Sequence, residues 1–130
     1  MRVIIAGSRS IEDVRLVEAA IRQSGFHITQ VVSGTARGVD RLGEVWARAR
    51  GIPVARFPAD WAQYGRQAGL LRNLQMLDYA ARAPEGGALV AVWDGVSRGT
   101  RHTIEAARSQ NLRAYIHQMQ RVPPASHLRR

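Results

Sequence analysis

The sequence predicts an α/β fold, namely a single Rossmann-like three-layer sandwich around a mainly parallel, five-stranded sheet. Two observations predict it: short apolar segments alternate with segments that carry apolar residues at helical spacing, and glycine-rich turns follow several of the apolar segments. The length of 130 residues fits one domain. We expect this domain to span residues 1–120 and to be followed by a basic flexible tail over residues 121–130.

The strands are predicted by five short segments rich in apolar and β-branched residues, which are residues 2–6, 29–33, 52–57, 88–93 and 112–116. Right-handed crossovers place the turns that follow parallel strands along one edge of the sheet. In open α/β sheets, ligands bind in the crevice at that edge.

The first two helices are predicted by apolar periodicity and by their end signals. The first helix is expected to begin with Ser10 as its N-cap, because Ser10 and Asp13 resemble a capping box, and to stop at Gly25. The second is expected to end at Gly51. Its predicted apolar face consists of Val39, Leu42, Val45, Trp46 and Ala49.

The last two helices follow a predicted loop and a glycine-rich turn, respectively. Residues 58–66 are expected to form the loop, and residues 100–109 the fourth helix. The third helix, between them, is predicted from an apolar stripe of Leu70, Leu74, Leu77 and Ala81.

The composition limits the chemistry that the chain can perform. The formal net charge is +9, which favours anionic partners. All 19 basic residues are Arg, which a genome that favours arginine codons explains better than a functional need. The sequence contains no Lys, which excludes a catalytic lysine and a P-loop lysine. It contains no Cys, and its four histidines show no metal-ligand spacing, so we expect neither a metal nor a cofactor. Without cysteines, an apolar stretch of bilayer length or a signal peptide, a cytoplasmic location is expected.

Three glycine-rich turns come directly before predicted helices and follow the first, second and fourth strands. They span residues 7–9, 33–38 and 95–100. Glycine lets a ligand approach the backbone, and the N-terminus of a helix offers unpaired N–H groups that suit phosphate. Each turn also contains an arginine that could bind phosphate through its forked donors, namely Arg9, Arg37 and Arg98. Tight turns need glycine in any case, but three such turns on one edge favour a phosphate site.

Acidic and aromatic residues near the same edge are candidates for binding the rest of a nucleotide. Asp40, Asp60 and Asp94 could accept hydrogen bonds from ribose hydroxyls, or they could cap helices and loops. Trp61 lies in the predicted loop and could stack on a base. Trp93 ends an apolar strand and is expected in the core.

The motifs together resemble those of the YspA-like branch of the SLOG superfamily, which is related to DprA and to the Lonely Guy (LOG) enzymes. The resemblance covers roughly residues 2–117. It is carried by Gly7-Ser8-Arg9, Ser33-Gly34-Thr35-Ala36-Arg37-Gly38-Val39-Asp40, Phe57-Pro58-Ala59-Asp60-Trp61, Gly65-Arg66 with Gly69 and Arg72-Asn73, Met76, and Asp94-Gly95 with Gly99-Thr100. It implies a Rossmann-like fold, a nucleotide-type ligand and pairing into a homodimer.

One position departs from the pattern of the LOG phosphoribohydrolases, whose Gly-Gly-x-Gly-Thr-x-x-Glu motif ends in a catalytic glutamate. Here Gly99 and Thr100 match, but Thr103 occupies the glutamate position. Glu105 lies about 200° further around the helix and cannot replace it. Any glycosidic hydrolysis would therefore need another carboxylate, which Asp40, Asp60 or Asp94 would have to supply, and Asp60 and Asp94 are the preferred candidates.

Three functions follow as hypotheses, in this order of preference. The first is binding of a nucleotide, an ADP-ribose- or NAD-type ligand or a cyclic signal, in a sensor or sequestering protein of phage or mobile-element origin. The second is hydrolysis of a nucleotide N-glycosidic bond, and the third is DprA-like binding of single-stranded nucleic acid. The expected ligand- and phosphate-binding residues are Gly7, Ser8, Arg9, Ser33, Gly34, Thr35, Ala36, Arg37, Gly38, Asp40, Asp60, Trp61, Arg66, Arg72, Asn73, Asp94, Gly95, Ser97, Arg98, Gly99 and Thr100.

Overall fold

The computed structural model describes residues 1–119, which form one five-stranded parallel sheet with helices. The expected tail at residues 121–130 lies outside the described residues. The strands, each within a few residues of its predicted segment, are β1 (Arg2–Gly7), β2 (Gln30–Ser33), β3 (Val54–Arg56), β4 (Gly87–Trp93) and β5 (Arg113–Gln118). The α/β class and the Rossmann-like architecture are confirmed.

The strand order β3-β2-β1-β4-β5 makes β1 the point where the chain changes direction across the sheet. The chain runs from β1 outward to β3, then crosses back and adds β4 on the other side of β1. The connections after β1 and β4 therefore leave toward opposite faces and open a crevice between them, as at other topological switch points.

The helices that flank the sheet are α1 (Val14–Ser24), α2 (Val39–Ala49), α4 (Ala68–Ala81) and α5 (Arg98–Ser109). A short helix α3 (Trp61–Tyr64) and a 3₁₀ turn (Gly65–Gln67) precede α4.

Alternate residues of the strands build two separate apolar layers, because successive side chains point to opposite faces. Val3 and Ile5 of β1 pack with α1 and α2 on one face, while Ile4 of β1 packs with α4 and α5 on the other. Trp46 of α2 is buried in the first layer, as expected, whereas Trp93 is only half-buried. The sandwich therefore has three layers.

The predicted N-cap of the first helix is wrong. Asp13 caps α1 by accepting a hydrogen bond from the backbone N–H of Arg15 at 3.0 Å, so the helix begins one turn later than Ser10 predicted. Gly25 ends the helix in the left-handed conformation, as predicted, with φ of 70°. The delayed start leaves residues 8–12 as a loop at the edge of the sheet.

Two other expectations about helices are corrected. The segment over residues 58–66 is not entirely a loop, because Asp60 caps α3 through a hydrogen bond from the N–H of Gln63. The predicted stripe faces the core only at Leu77, since Leu70 and Leu74 are 45% and 43% exposed and Ala81 is exposed as well. The buried face of α4 instead carries Ala68, Asn73, Met76, Leu77 and Ala80. Similarly, Val45 of α2 is exposed.

None of the helices within residues 1–119 has the length and hydropathy of a bilayer-spanning segment.

Candidate functional site

A cavity of about 430 Å³ opens at the carboxyl edge of the sheet, between the loops that follow β1 and β4. Ala6 and Met76 form an apolar part of its wall, and polar groups supply the rest. Its lining residues are Ala6, Gly7, Arg9, Ser10, Ala36, Asp40, Arg72, Asn73, Met76, Asp94, Ser97, Gly99, Thr100 and Thr103.

Ser8 holds the three glycine-rich turns together behind this cavity. Its side chain is buried, and its hydroxyl accepts a hydrogen bond from the N–H of Asp94 at 3.0 Å. Its carbonyl accepts one from the N–H of Val39, the first residue of α2, at 3.3 Å. Ser8 thus links the turn after β1 to the other two turns, and does not itself line the cavity.

Arg72 of α4 places a half-buried guanidinium in the cavity wall. Its Nη1 donates a hydrogen bond to the carbonyl of Gly34, and its Nε donates one to Oδ1 of Asn73 at 2.9 Å. Among residues 1–119, no carboxylate oxygen lies within 4.0 Å of its nitrogens. The group is therefore held by neutral acceptors and makes no direct ion pair, although the carboxylate of Asp40 lies nearby.

The charge of Arg72 is destabilised by its surroundings. Burial lowers the pKa of this guanidinium; the carboxylate of Asp40 acts in the opposite direction, and the positive charge of Arg9 lowers the pKa further. Arg9 is exposed and lines the same cavity. Two cations that disfavour each other across a cavity create a site that an anion would stabilise.

Asp40 is the buried acid of the site. Burial raises the pKa of its carboxyl to about 6, although the N–H of Ala36 donates to Oδ2 at 3.2 Å and Arg72 also favours the ionised form. This hydrogen bond crosses the turn before α2, so Asp40 acts at least in part as a cap of that turn.

The N-terminus of α5, which lies at the cavity, has unpaired backbone donors. Among residues 1–119, the backbone N–H groups of Arg98, Gly99 and Thr100 have no hydrogen-bond acceptor, and no side chain caps the helix. Gly99 and Thr100 line the cavity. The arrangement combines unsatisfied donors with the positive end of the helix dipole.

Gly99 is a glycine that the fold itself does not require. Its φ is not positive, and a Cβ built on it would meet no atom within 4 Å. Because Gly99 lies at the cavity wall, the missing side chain leaves space for a ligand to approach the backbone.

Asp94 organises the turn before α5. Its Oδ1 accepts hydrogen bonds from the N–H groups of Val96 and Ser97, both at 2.8 Å. These bonds, that of Ser97 first, hold the pKa of Asp94 below its usual value, so the carboxylate is ionised at neutral pH. It lines the cavity while performing this capping role.

The residues predicted from the sequence divide into two groups. Ten of the 21 line the cavity, namely Gly7, Arg9, Ala36, Asp40, Arg72, Asn73, Asp94, Ser97, Gly99 and Thr100. The others do not, namely Ser8, Ser33, Gly34, Thr35, Arg37, Gly38, Asp60, Trp61, Arg66, Gly95 and Arg98. Trp61, the predicted base-stacking residue, is 52% exposed on α3, and Asp60 caps that helix.

Four lining residues were absent from the prediction: Ala6, Ser10, Met76 and Thr103. Met76 was in the motif that carries the family resemblance and could have been found there. Thr103 is buried, and its hydroxyl donates to the carbonyl of Gly99 at 3.1 Å. A hydroxyl therefore stands at the position where the hydrolase pattern has a glutamate.

Glu44 is a buried acid of α2 that no sequence pattern singles out. Glu44 accepts a hydrogen bond from the hydroxyl of Ser33 at 2.5 Å and forms ion pairs with Arg48 and Arg56. Burial alone would raise the pKa of Glu44, but Ser33 and then Arg56 lower it below its usual value. Within the described part of the chain, no group of three or more His, Asp or Glu side chains is placed to hold a metal ion.

Residues 1–64 match the family described as "YAcAr: YspA, cpYpsA-related SLOG family". This segment includes the turns after β1 and β2. The chain is also 34% identical over 120 residues to the Gene 61 protein of Mycobacterium phage D29, an alignment that covers 85% of this chain and 91% of the relative. No solved structure matches it.

Proposed function

This chain belongs to the YspA, cpYpsA-related SLOG family, and we propose that its cavity binds the phosphate of a nucleotide or nucleotide-derived ligand. Candidate ligands are a nucleoside monophosphate, an ADP-ribose- or NAD-type molecule and a cyclic nucleotide signal. A sensor or sequestering protein of phage or mobile-element origin would need only such binding, and the phage relative supports that origin.

The observation that carries the proposal is that Arg72 and the N-terminus of α5 line the same cavity. The guanidinium offers directed donors and makes no direct ion pair among residues 1–119, and the helix offers the N–H groups of Gly99 and Thr100. A phosphate between them would receive hydrogen bonds from both sides of the cavity, with Arg9 at the opening. The remaining sequence-predicted residues that line the cavity would surround the sugar and base.

Isothermal titration calorimetry with AMP, ADP-ribose, NAD and a cyclic nucleotide tests the proposal. We expect binding of at least one of them. Arg72→Ala should lower the affinity about 30-fold, because it removes hydrogen bonds from a charged group to the phosphate. Arg113→Ala is the matched control, because Arg113 is exposed at the start of β5, away from the carboxyl edge. Absence of binding by the whole panel, or equal losses in both variants, would contradict the proposal.

Hydrolysis of an N-glycosidic bond is the second candidate, and the ionised Asp94 in the cavity wall is the observation that favours it. An oxocarbenium-like transition state would be stabilised by that carboxylate. Incubation with AMP and NAD, followed by chromatography for free base, tests this candidate. Release of free base by the wild type would establish turnover. Loss of that release in Asp94→Asn, together with its persistence in Asp60→Asn, would identify Asp94 as the catalytic carboxylate.

Binding of single-stranded nucleic acid is a third candidate, supported by the net charge of +9 and by the exposed Arg9, Arg37 and Arg98 near the cavity edge. It predicts that affinity for an oligonucleotide falls steeply with salt. Affinity for a mononucleotide equal to that for an oligonucleotide would argue against this candidate.

We also propose that two copies of the chain pair through α3 and α4. Trp61, Tyr64, Leu70 and Leu74 are each more than 40% exposed there, and large apolar side chains that are exposed in one patch favour a protein interface. A two-fold pairing would cover the same patch on both copies. Light scattering should report a dimer for the wild type and a monomer for Leu74→Glu.

A cytoplasmic location stays a prediction from the sequence.

A further inference from the structure

The hydrogen bonds of Arg72 continue through Asn73 to a histidine on the neighbouring helix. Asn73 is buried on α4, and its Nδ2 lies 3.4 Å from Nδ1 of His102 on α5. His102 is half-buried and is not a residue of the cavity lining. The contact connects the helix that carries the guanidinium with the helix that carries the unpaired N–H groups.

The donors and acceptors of the series Arg72, Asn73 and His102 allow only one arrangement of hydrogen bonds. A guanidinium has donors alone, so the oxygen of the Asn73 amide must face Nε of Arg72. The amide nitrogen then faces His102 and has only hydrogens to offer. Nδ1 of His102 must therefore accept, which places the proton of the neutral ring on Nε2.

We propose that His102 is a positioning residue for the phosphate site: by accepting from Asn73 it fixes the amide that directs the guanidinium of Arg72 toward the ligand. The role in ligand binding rests on the proposed function. His102 touches no ligand in this account, and it acts only through Asn73. His102 also lies on the same helix as Gly99, which is one turn earlier, so its contact with Asn73 ties α4 to the N-terminal turn of α5.

The first test uses the wild-type protein without any ligand. Long-range ¹H–¹⁵N NMR at mildly alkaline pH, where imidazole is neutral, reads the tautomer of His102 directly. We expect the form protonated on Nε2. The form protonated on Nδ1 would overturn the proposal, because two donors would then face each other.

The second test follows the Nε–H resonance of Arg72, which is identified by its loss in Arg72→Lys. In His102→Leu the amide of Asn73 loses its hydrogen-bond acceptor. We then expect the Nε hydrogen of Arg72 to exchange with water about fivefold faster, because a fivefold change corresponds to the loss of one hydrogen bond. In His102→Gln the side-chain oxygen can accept in place of Nδ1, so wild-type exchange should return. Unchanged exchange in His102→Leu, or no rescue by His102→Gln, would contradict the proposal.

The third test measures affinity for AMP by calorimetry. We expect His102→Leu to weaken it about fivefold in the wild-type background and to have no effect when Arg72→Ala is already present. An equal effect of His102→Leu in both backgrounds would show that it acts without Arg72 and would overturn the proposal. If wild-type protein binds no nucleotide, the proposed function fails, while the tautomer and exchange measurements still decide whether His102 positions Arg72.

Discussion

The turn before α2 and the turn before α5 look alike in the sequence, since each combines glycines with an arginine and a hydroxyl residue ahead of a helix. Both hold part of their backbone through side chains. In the first, the N–H groups of Thr35 and Ala36 are bonded to Ser33 and Asp40, and in the second those of Val96 and Ser97 are bonded to Asp94. Among residues 1–119, the next N–H groups have no acceptor at the start of either helix, namely those of Asp40 and Arg41 in α2 and those of Arg98 to Thr100 in α5.

The two turns differ in their glycines. Gly38 has φ of 77°, and a Cβ on it would overlap the carbonyl oxygen of Ser8. A Cβ on Gly99 would meet no atom within 4 Å. One glycine thus allows two parts of the protein to pack closely, and the other leaves space beside unpaired donors. The comparison indicates that a glycine-rich turn can hold a ligand where no part of the protein already occupies the space beside its glycine.

The largest effect is expected for Gly38→Ala. The positive φ and the contact with Ser8 should together lower the free energy of unfolding by about 4 kcal/mol. Gly51→Ala is the matched control, because Gly51 has φ of 68° but open space around its Cβ position. It should cost only about 1 kcal/mol. Urea denaturation measures both, and equal losses would refute the packing role of Gly38.

Asp40 provides a pH-dependent test of the turn before α2. Its carboxyl pKa is raised from 3.8 to about 6 in the folded state, so folding favours the protonated form. Its contribution to stability is therefore highest below about pH 4, falls as the pH rises through about 6 and is constant above that. The expected fall is about 3 kcal/mol.

Denaturation of wild-type protein and of Asp40→Asn across this range isolates the contribution of Asp40. The difference in unfolding free energy, wild type minus variant, should decrease from pH 4 to pH 7. A difference that does not vary with pH would mean that Asp40 ionises normally in the folded protein.

Asp94 should stabilise the turn before α5 through its two backbone hydrogen bonds. Asp94→Ala removes both and should lower the free energy of unfolding by about 1.5 kcal/mol. Asp94→Asn keeps an oxygen that can accept both, and should lose much less. Equal losses in thermal unfolding of the two variants would show that charge, and not the geometry of the acceptor, holds the turn.

The smallest change in stability is expected for Gly99→Ala, where function should respond instead. Alanine is favoured over glycine in a helix by about 1 kcal/mol, so the melting temperature should stay the same or rise. The new methyl group occupies space beside the donors, and affinity for AMP should fall about tenfold. Calorimetry together with thermal unfolding checks both effects, and unchanged affinity would place the phosphate elsewhere.

The sheet could be predicted from the sequence because each strand is a short apolar segment bounded by turn residues, and β1 and β4 were placed almost to the residue. Helix faces were less predictable, since α4 carries leucines on two sides. Leu70 and Leu74 follow helical spacing, but Met76 and Ala80 fit against the sheet. Periodicity alone does not say which of two apolar stripes is buried.

The site was predictable as an edge of the sheet but not as a set of contacts. The turns after β1 and β4 could be assigned to one edge by the rule for parallel strands. That the carbonyl of Gly34 would receive Arg72, 38 positions later in the chain, depends on how α4 returns to the sheet. No local pattern carries such information, and the unpaired donors of α5 became visible only once their neighbours were placed.

An NMR titration of ¹⁵N-labelled protein with AMP locates the phosphate most directly, because it observes the backbone amides of both turns in one experiment. We predict that the amide resonances of Gly99 and Thr100 move most and that those of Thr35 and Ala36 move little. The largest shifts at Thr35 and Ala36, or no shift in either turn, would contradict it.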